Sequence, residues 1–481
     1  MAYRLQTEDR WPLLLAPLIP ILLGALAVGG ASAELLLAVA LAGALVIAGL
    51  YLTAFVDIAW LFSGAVAMTL FSGHWRDLGF PGLLSPDRLL LVVAFVVFLL
   101  RDPSLGRRAY FRLTPTHVVL VLAAAFAICS AVAAGTIAET STLFPLLDRF
   151  GLVPFLLFAA GPVAFASEHQ RRILLGTFLA IGAYLGLTSL FTGLGLDSLV
   201  FPRYIVELGP EVQAGRARGP FGDSAINGVA LFYCAVAAAV AYVTIPKTWV
   251  RNLALAIGAL CVFDLIFTQQ RSVWIGALAA ALCAAAAAPP LRRRLPLALG
   301  LAAVALLAAF VLVPGLHQQT TERIGNQRTE WDRLNLNKAA TNMIAERPLL
   351  GFGLGTFKEK SGPYFEQDQD FPLTNTTGEL HNVFLSNATQ LGLLGASIWL
   401  LGLVLAVGGA IAMRGPPQLY PWRIGLLAIA VMWLVVANLV PMVQAFPNQV
   451  LWLWAGVVWP WRYTRIGSES NEGDDGRAVN G

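Results

Sequence analysis

Runs of about 20 mostly apolar residues recur along almost the whole chain, and nothing constrains its fold more. A helix of about that length crosses the ~30 Å of a bilayer's hydrocarbon. Only helices and closed barrels satisfy their own backbone there. Such runs lie near 12–30, 34–50, 53–72, 88–101, 115–135, 150–167 and 172–192. Others follow near 228–246, 251–268, 273–289, 295–314, 383–410, 421–440 and 449–461. They predict an all-α polytopic membrane protein with about 12–14 transmembrane helices, some of the shorter runs merging or lying at an interface. Small residues are abundant in these runs, as close helix packing in lipid requires. Charged residues make up 12% of the 481, whereas soluble domains carry about 25%, so a soluble-domain function is excluded. The net charge of +4 sits in short loops and reports orientation, not nucleic-acid binding.

Every second connection is short and basic. The series is Arg101, Arg107, Arg108 and Arg112; Arg171 and Arg172; Lys247 and Arg251; Arg292, Arg293 and Arg294; Arg414 and Arg423; Arg462 and Arg465. The positive-inside rule puts these loops and both termini in the cytoplasm. The opposite face then carries the connection from 193 to 227 and the largest one, 315–382. The expected organisation is a transmembrane bundle over 1–314, a large external loop over 315–382, C-terminal transmembrane helices over 383–462 and a disordered cytoplasmic tail over 463–481. Within the large loop, Thr320 to Glu346 has helical apolar spacing and predicts an amphipathic helix. Ala31-Ser32-Ala33 resembles a signal-peptidase site, but the run from Trp11 to Gly30 exceeds the usual h-region, so an uncleaved first span is expected. The cysteines, Cys129, Cys234, Cys261 and Cys283, lie in apolar runs without metal-ligand spacing and read as small buried hydrophobes.

Residues that could carry chemistry fall on the external side of this scheme. His381, in Gly378-Glu379-Leu380-His381-Asn382-Val383-Phe384, stands at the mouth of a span. Its ordinary pKa of about 6.5 suits a general base, although a histidine there also serves as a helix cap. Arg271 follows Phe267-Thr268-Gln269-Gln270 between two spans joined by almost no loop. An arginine so close to hydrocarbon is a functional candidate, or it snorkels to the interface or pairs with a structural carboxylate. Arg216 and Arg218 lie in an irregular segment, Ala214-Gly215-Arg216-Ala217-Arg218-Gly219-Pro220-Phe221-Gly222, with Arg203 upstream. Guanidinium groups grip phosphate bidentately, so several converging would make a diphosphate site; the alternative is a solvated basic loop. His74 and His317 lie in external loops without such context. Leu349 to Phe357 is rich in glycine, but no strand precedes it, so a tight packing turn is expected and a nucleotide cradle is not. Asp368-Gln369-Asp370 has no second ligand cluster nearby, and no metal site is expected.

Four segments taken together resemble the O-antigen ligase and O-antigen polymerase superfamily of bacterial inner-membrane proteins. They are Arg216 to Asn227; Gln270-Arg271-Ser272-Val273-Trp274; Pro348 to Phe357; and His381-Asn382-Val383-Phe384-Leu385 with Leu391-Gly392-Leu393-Leu394-Gly395. The resemblance implies a GT-C-like membrane glycosyltransferase that takes a glycan from undecaprenyl diphosphate at the periplasmic face, without a metal, cofactor or nucleotide sugar. In ligases the acceptor is lipid A–core oligosaccharide; in polymerases it is another lipid-linked unit, and protein O-glycosylating ligases use the same donor. Carried over, Arg216 and Arg271 hold the diphosphate and His381 activates the acceptor hydroxyl, with Arg218 a further diphosphate candidate and Arg203, Asn227 and Asn382 in support. The family's Asn-Pro-Asn is replaced by Gly222-Asp223-Ser224-Ala225-Ile226-Asn227, so both Arg216 and Arg218 stay candidates. A lipid-linked glycan transporter is the rival from another class. Transporters show paired repeats with charges near the midplane; here the charges cluster at one face and no internal repeat is visible.

Overall fold

The computed structural model describes residues 56–80, 85–100, 113–207, 215–312, 328–366, 378–413 and 415–459. The expected first two spans, the Ala31-Ser32-Ala33 segment, His317, Asp368-Gln369-Asp370 and the C-terminal tail lie outside them. All regular structure among the described residues is helical. Helices α1 (Ile58–Met68), α2 (Pro86–Leu100), α3 (Pro115–Ala134), α4 (Thr140–Ala164) and α5 (Glu168–Gly193) come first. Then follow α6 (Ser224–Thr244), α7 (Thr248–Thr268), α8 (Arg271–Ala287) and α9 (Pro289–Leu312). After the amphipathic α10 (Arg328–Glu346) come α11 (Val383–Ala412), α12 (Pro417–Ala437) and α13 (Ala445–Val458). Seven of them, α3 to α7, α11 and α12, are long and apolar enough to cross a membrane.

The helices sort by what surrounds them. Every residue of α13 is buried, so protein, not lipid, encloses this short and mostly apolar helix. Its Trp454 ring packs on Trp422, and Trp452 packs on Phe155 and Phe158 of α4. Gly161 of α4 and Gly456 of α13 bring those backbones so close that a Cβ on either would strike the other chain. Peripheral helices instead leave an apolar face uncovered: Val121 on α3, Val243 on α6 and Leu255 on α7 are all exposed. A soluble bundle would have to cover such faces; lipid covers them here.

Short connections fix the direction of neighbouring helices. Only Ile245, Pro246 and Lys247 join α6 to α7, only Gln269 and Gln270 join α7 to α8, and only Ala288 joins α8 to α9. The starts of α6 and α8 and the end of α7 therefore share one end of the bundle. The basic connections with Arg171, Lys247, Arg292 and Arg423 occupy the other. There arginines cap helix ends: Arg171 donates to the Phe165 and Ala166 carbonyls, Arg292 to Ala286 and Arg423 to Met413.

Helix α11 is broken at Gly392, whose φ of 67° and ψ of 176° belong to no helix. Phe384 and Trp399 are 15 residues apart, yet their ring centroids are 5.8 Å apart. An unbroken helix would separate them by about 22 Å, so the first part of α11 doubles back on the rest. The glycine-rich segment fills the gap. Phe352 and Gly353 N–H donate to the Thr389 and Gln390 carbonyls (3.1 and 2.9 Å). Leu393 and Leu394 N–H donate to the Pro348 and Leu349 carbonyls (2.7 and 3.3 Å). Backbone groups orphaned by the break are thus paired on both sides. The expected packing turn is present, and its partner is the broken helix.

Candidate active site

Residues 215–223 form a turn over the starts of α6 and α8. Ala217 N–H donates to the Phe267 carbonyl at the end of α7 (2.9 Å). From below, the buried Asn227 amide donates to the Ala217 carbonyl (3.0 Å) and to Ser189 Oγ (2.9 Å). Gln270 Nε2 donates to Ser224 Oγ (2.7 Å), which ties the α7–α8 corner to the same turn. Gln269 at that corner is left-handed (φ 50°), a conformation that costs a non-glycine residue about 1–3 kcal/mol and clusters at functional sites. It lets Arg271 open α8 at once. Arg271 is exposed, and Arg216 is half-buried with its Nε buried.

The remaining arginines of the segment are engaged elsewhere. Arg218 is buried and donates to the Ile205 carbonyl (3.1 Å). Arg203 stands apart on the surface, donating to the Asp197 carbonyl (2.6 Å) and pairing with Glu207 (3.4 Å). The turn is also held from the side. Tyr204 donates to the Pro220 carbonyl (2.7 Å), and the His74 ring stacks on Tyr204 with centroids 4.8 Å apart. His74 Nε2 lies 3.4 Å from the Phe221 carbonyl, and Nδ1 lies 2.9 Å from Asp77.

His381 precedes α11 by two residues and is half-buried, with a buried Nδ1 that meets no hydrogen-bond partner of good geometry. Burial lowers its pKa below the ordinary value, and the Arg333 guanidinium of α10 lowers it further. The Glu379 backbone and carboxylate, and the Asp223 carboxylate, oppose that shift. The ring is therefore a neutral base at neutral pH. Asn382 next to it caps α11 by accepting from Phe384 and Leu385 N–H (2.9 and 3.0 Å), and its amide donates to Asn438 (3.2 Å). Asp223 caps α6 in the same way, accepting from Ala225 and Ile226 N–H (2.8 and 3.1 Å).

Asp223 joins the two halves of the site. It ends the turn that carries Arg216 and acts electrostatically on His381. The structure thus gathers His381, Asn382, Arg216, Arg271 and the supporting Asn227 at one end of the bundle, leaves Arg218 beneath the turn and sets Arg203 aside. Sequence reasoning missed Arg333, Asp223 and Arg149, and set aside His74, which stacks on Tyr204 beside the turn. Arg149 lies in the π-helical turn Pro145–Phe150 of α4 and is in electrostatic contact with Glu379. Beside it Asp148 is held by Arg88 (3.8 Å) and Gln449 (3.2 Å). For Arg149 the signal was an ionisable pair, Asp148-Arg149, at the very edge of an apolar run.

The family described as O-antigen ligase matches residues 255–400, which span the α7–α8 corner with Arg271, all of α10 and the break in α11. No curated protein matches the chain.

Proposed function

We propose that this chain, whose residues 255–400 match the family described as O-antigen ligase, belongs to that superfamily and moves an O-antigen polysaccharide from undecaprenyl diphosphate to a hydroxyl of lipid A–core oligosaccharide. The reaction takes place at the periplasmic face of the bacterial inner membrane, opposite the basic loops. The observation that carries this reading is His381: a partly desolvated imidazole under the electrostatic influence of Arg333 and of Asp223, the residue that ends the turn holding Arg216.

Sugar diphosphates already have a good leaving group, so two tasks remain. The first is to stabilise charge developing on the diphosphate; fixed donors in a poorly hydrated site usually supply the largest catalytic term. The half-buried Arg216 and the more exposed Arg271 do this, helped by the start of α8, whose cap residue Gln270 makes no side-chain bond to it, since helix N-termini favour anions. The second is deprotonation. His381 takes the proton of the acceptor hydroxyl while that oxygen bonds to the sugar's anomeric carbon. The bond from that carbon to the diphosphate oxygen breaks, its electron pair leaves with undecaprenyl diphosphate, and the anomeric configuration inverts. Arg218 shapes the turn in this reading.

Transfer by the purified protein, given a lipid-diphosphate glycan and candidate acceptors, tests the proposal. His381→Ala is expected to insert and fold but lose at least ~10²-fold in activity, the lower range for a general base. Wild-type activity in that variant would remove the base assignment. Complementation of ligase-deficient and polymerase-deficient cells, read on lipopolysaccharide gels, identifies the acceptor. Ligase loss leaves core without polymer; polymerase loss leaves core bearing a single unit.

A further inference from the structure

We propose that a cavity at the far end of α10 is a saccharide subsite that holds an uncharged unit of a glycan chain some way from the reacting bond. The proposal rests on the transfer reading above. The cavity, of about 340 Å³, is lined by Glu346, Arg347, Phe352, Glu359, Lys360 and Tyr364. That volume falls at the lower end of the ~300–1,000 Å³ of small-ligand sites, a size for sugar rather than for a lipid chain.

Charge decides the class of ligand. Two carboxylates, Glu346 and Glu359, face two cations, Arg347 and Lys360, so the lining is neutral as a whole. A phosphate or other anion would meet the carboxylates, whereas sugar hydroxyls both donate and accept and can use all four groups. The aromatic walls are fixed. Tyr364 donates its hydroxyl to Glu346 (2.6 Å), and its ring meets Phe352 edge-on with centroids 5.6 Å apart. The Arg347 guanidinium covers one face of Phe352 (4.9 Å), and Lys360 Nζ donates to the Phe352 carbonyl (3.2 Å). The half-buried Tyr364 ring, with a few oriented polar groups around it, suits a pyranose, which presents C–H on one side and O–H at its rim.

Position ties the cavity to the reaction. Glu346 lies 13 residues beyond Arg333 on the same helix. At 1.5 Å per residue that is about 20 Å, a distance several sugar units long. Phe352 N–H also donates to the Thr389 carbonyl (3.1 Å), so the cavity is fastened to the first part of α11, which starts two residues after His381. A chain reaching from one site to the other would be held at both ends of a rigid helix pair.

The test uses the full-length protein in nanodiscs and measures steady-state transfer. Donors bear either one sugar or the whole polysaccharide on the lipid diphosphate; acceptors bear a truncated or a complete core. For the wild type, KM should be at least tenfold lower with the longer member of the donor pair or of the acceptor pair. Whichever pair shows this identifies the chain that fills the cavity. Tyr364→Ala, and separately Glu346→Gln with Lys360→Gln, should abolish that advantage while kcat with the one-sugar donor and truncated core stays within twofold. Saturation-transfer NMR with delipidated O-polysaccharide or core oligosaccharide should show contact to the wild type and none to a folded Tyr364→Ala protein. Unchanged KM ratios in both variants, with the wild type active, overturn the subsite alone. A wild type that transfers nothing overturns the subsite and the transfer reading together.

Discussion

Replacing Gly392 with alanine should open the helical hairpin that presents His381. A residue with a side chain is strained at φ 67° and ψ 176°, by about 1–3 kcal/mol. The added Cβ would also strike the Leu349 carbonyl and the Leu350 nitrogen, both backbone atoms that cannot rotate away. To relieve the clash the glycine-rich segment must withdraw, which puts at risk the bonds from Leu393 and Leu394 N–H to Pro348 and Leu349. Each is worth about 0.5–1.5 kcal/mol net, so strain and lost bonds together come to about 2–6 kcal/mol. Even the lower figure shifts the balance between closed and open hairpin about 30-fold. Thermal denaturation in detergent should show a lowered midpoint, limited proteolysis should cut near Pro348–Gly355, and transfer activity should fall with the closed fraction. Gly176→Ala is the control: no atom lies within 4 Å of its added Cβ, so the change should be neutral or stabilise by up to ~1 kcal/mol. A Gly392→Ala protein with the wild-type midpoint, protease resistance and activity would refute the stitched-hairpin reasoning.

Two further substitutions probe the charges of the site. In the proposed mechanism activity requires the neutral imidazole, so it should fall as pH drops through a His381 pKa held below 6.5. Arg333→Gln removes a charge that lowers that pKa and should move the acid limb to higher pH; Glu379→Gln removes one that raises it and should move the limb lower. Identical pH–rate profiles for both variants would dissociate His381 from the base role. Arg271→Lys should cost tenfold or more in donor affinity, because an ammonium cannot reproduce a bidentate contact. Equilibrium binding of the lipid-diphosphate donor reads this directly, and unchanged affinity would remove Arg271 from the diphosphate site.

Much of this arrangement was legible in the sequence because lipid is a demanding solvent. Apolar runs longer than 18 residues, such as those in α5, α6 and α7, have no other stable reading, and they appear as spans. The run near 449–461 was legible as apolar and short but not as central, since periodicity cannot tell whether lipid or protein surrounds a mostly apolar helix. His381, Arg216 and Arg271 stood out because charge is scarce in such a chain. Their partners did not: Arg333 is one of several arginines and lysines in a mixed-charge helix, and nothing local says which one turns towards the bundle. Glycine spacing at 351, 353 and 355 signalled a tight turn, but its pairing with the break at Gly392 is a long-range contact invisible to local pattern. Arg218 illustrates the converse. As a residue type it is as good a phosphate ligand as Arg216, and only its burial on the Ile205 carbonyl separates them.

The position of Arg333 gives the proposed reaction a timing of its own. In the free protein burial and, after it, the guanidinium keep His381 deprotonated but also a weaker base than an ordinary imidazole. A bound diphosphate brings negative charge into the same pocket and offsets Arg333, so the imidazole grows more basic when the acceptor hydroxyl must lose its proton. Once the carrier diphosphate departs, basicity falls again and the proton is released. The pH dependence of kcat/KM reports the free enzyme, and that of kcat reports the loaded one. The acid limb of kcat should therefore lie at higher pH than that of kcat/KM, and Arg333→Gln should narrow the gap between them. Superimposed limbs in the wild type would mean that donor charge does not reach His381, and that the diphosphate and the base belong to separate sites.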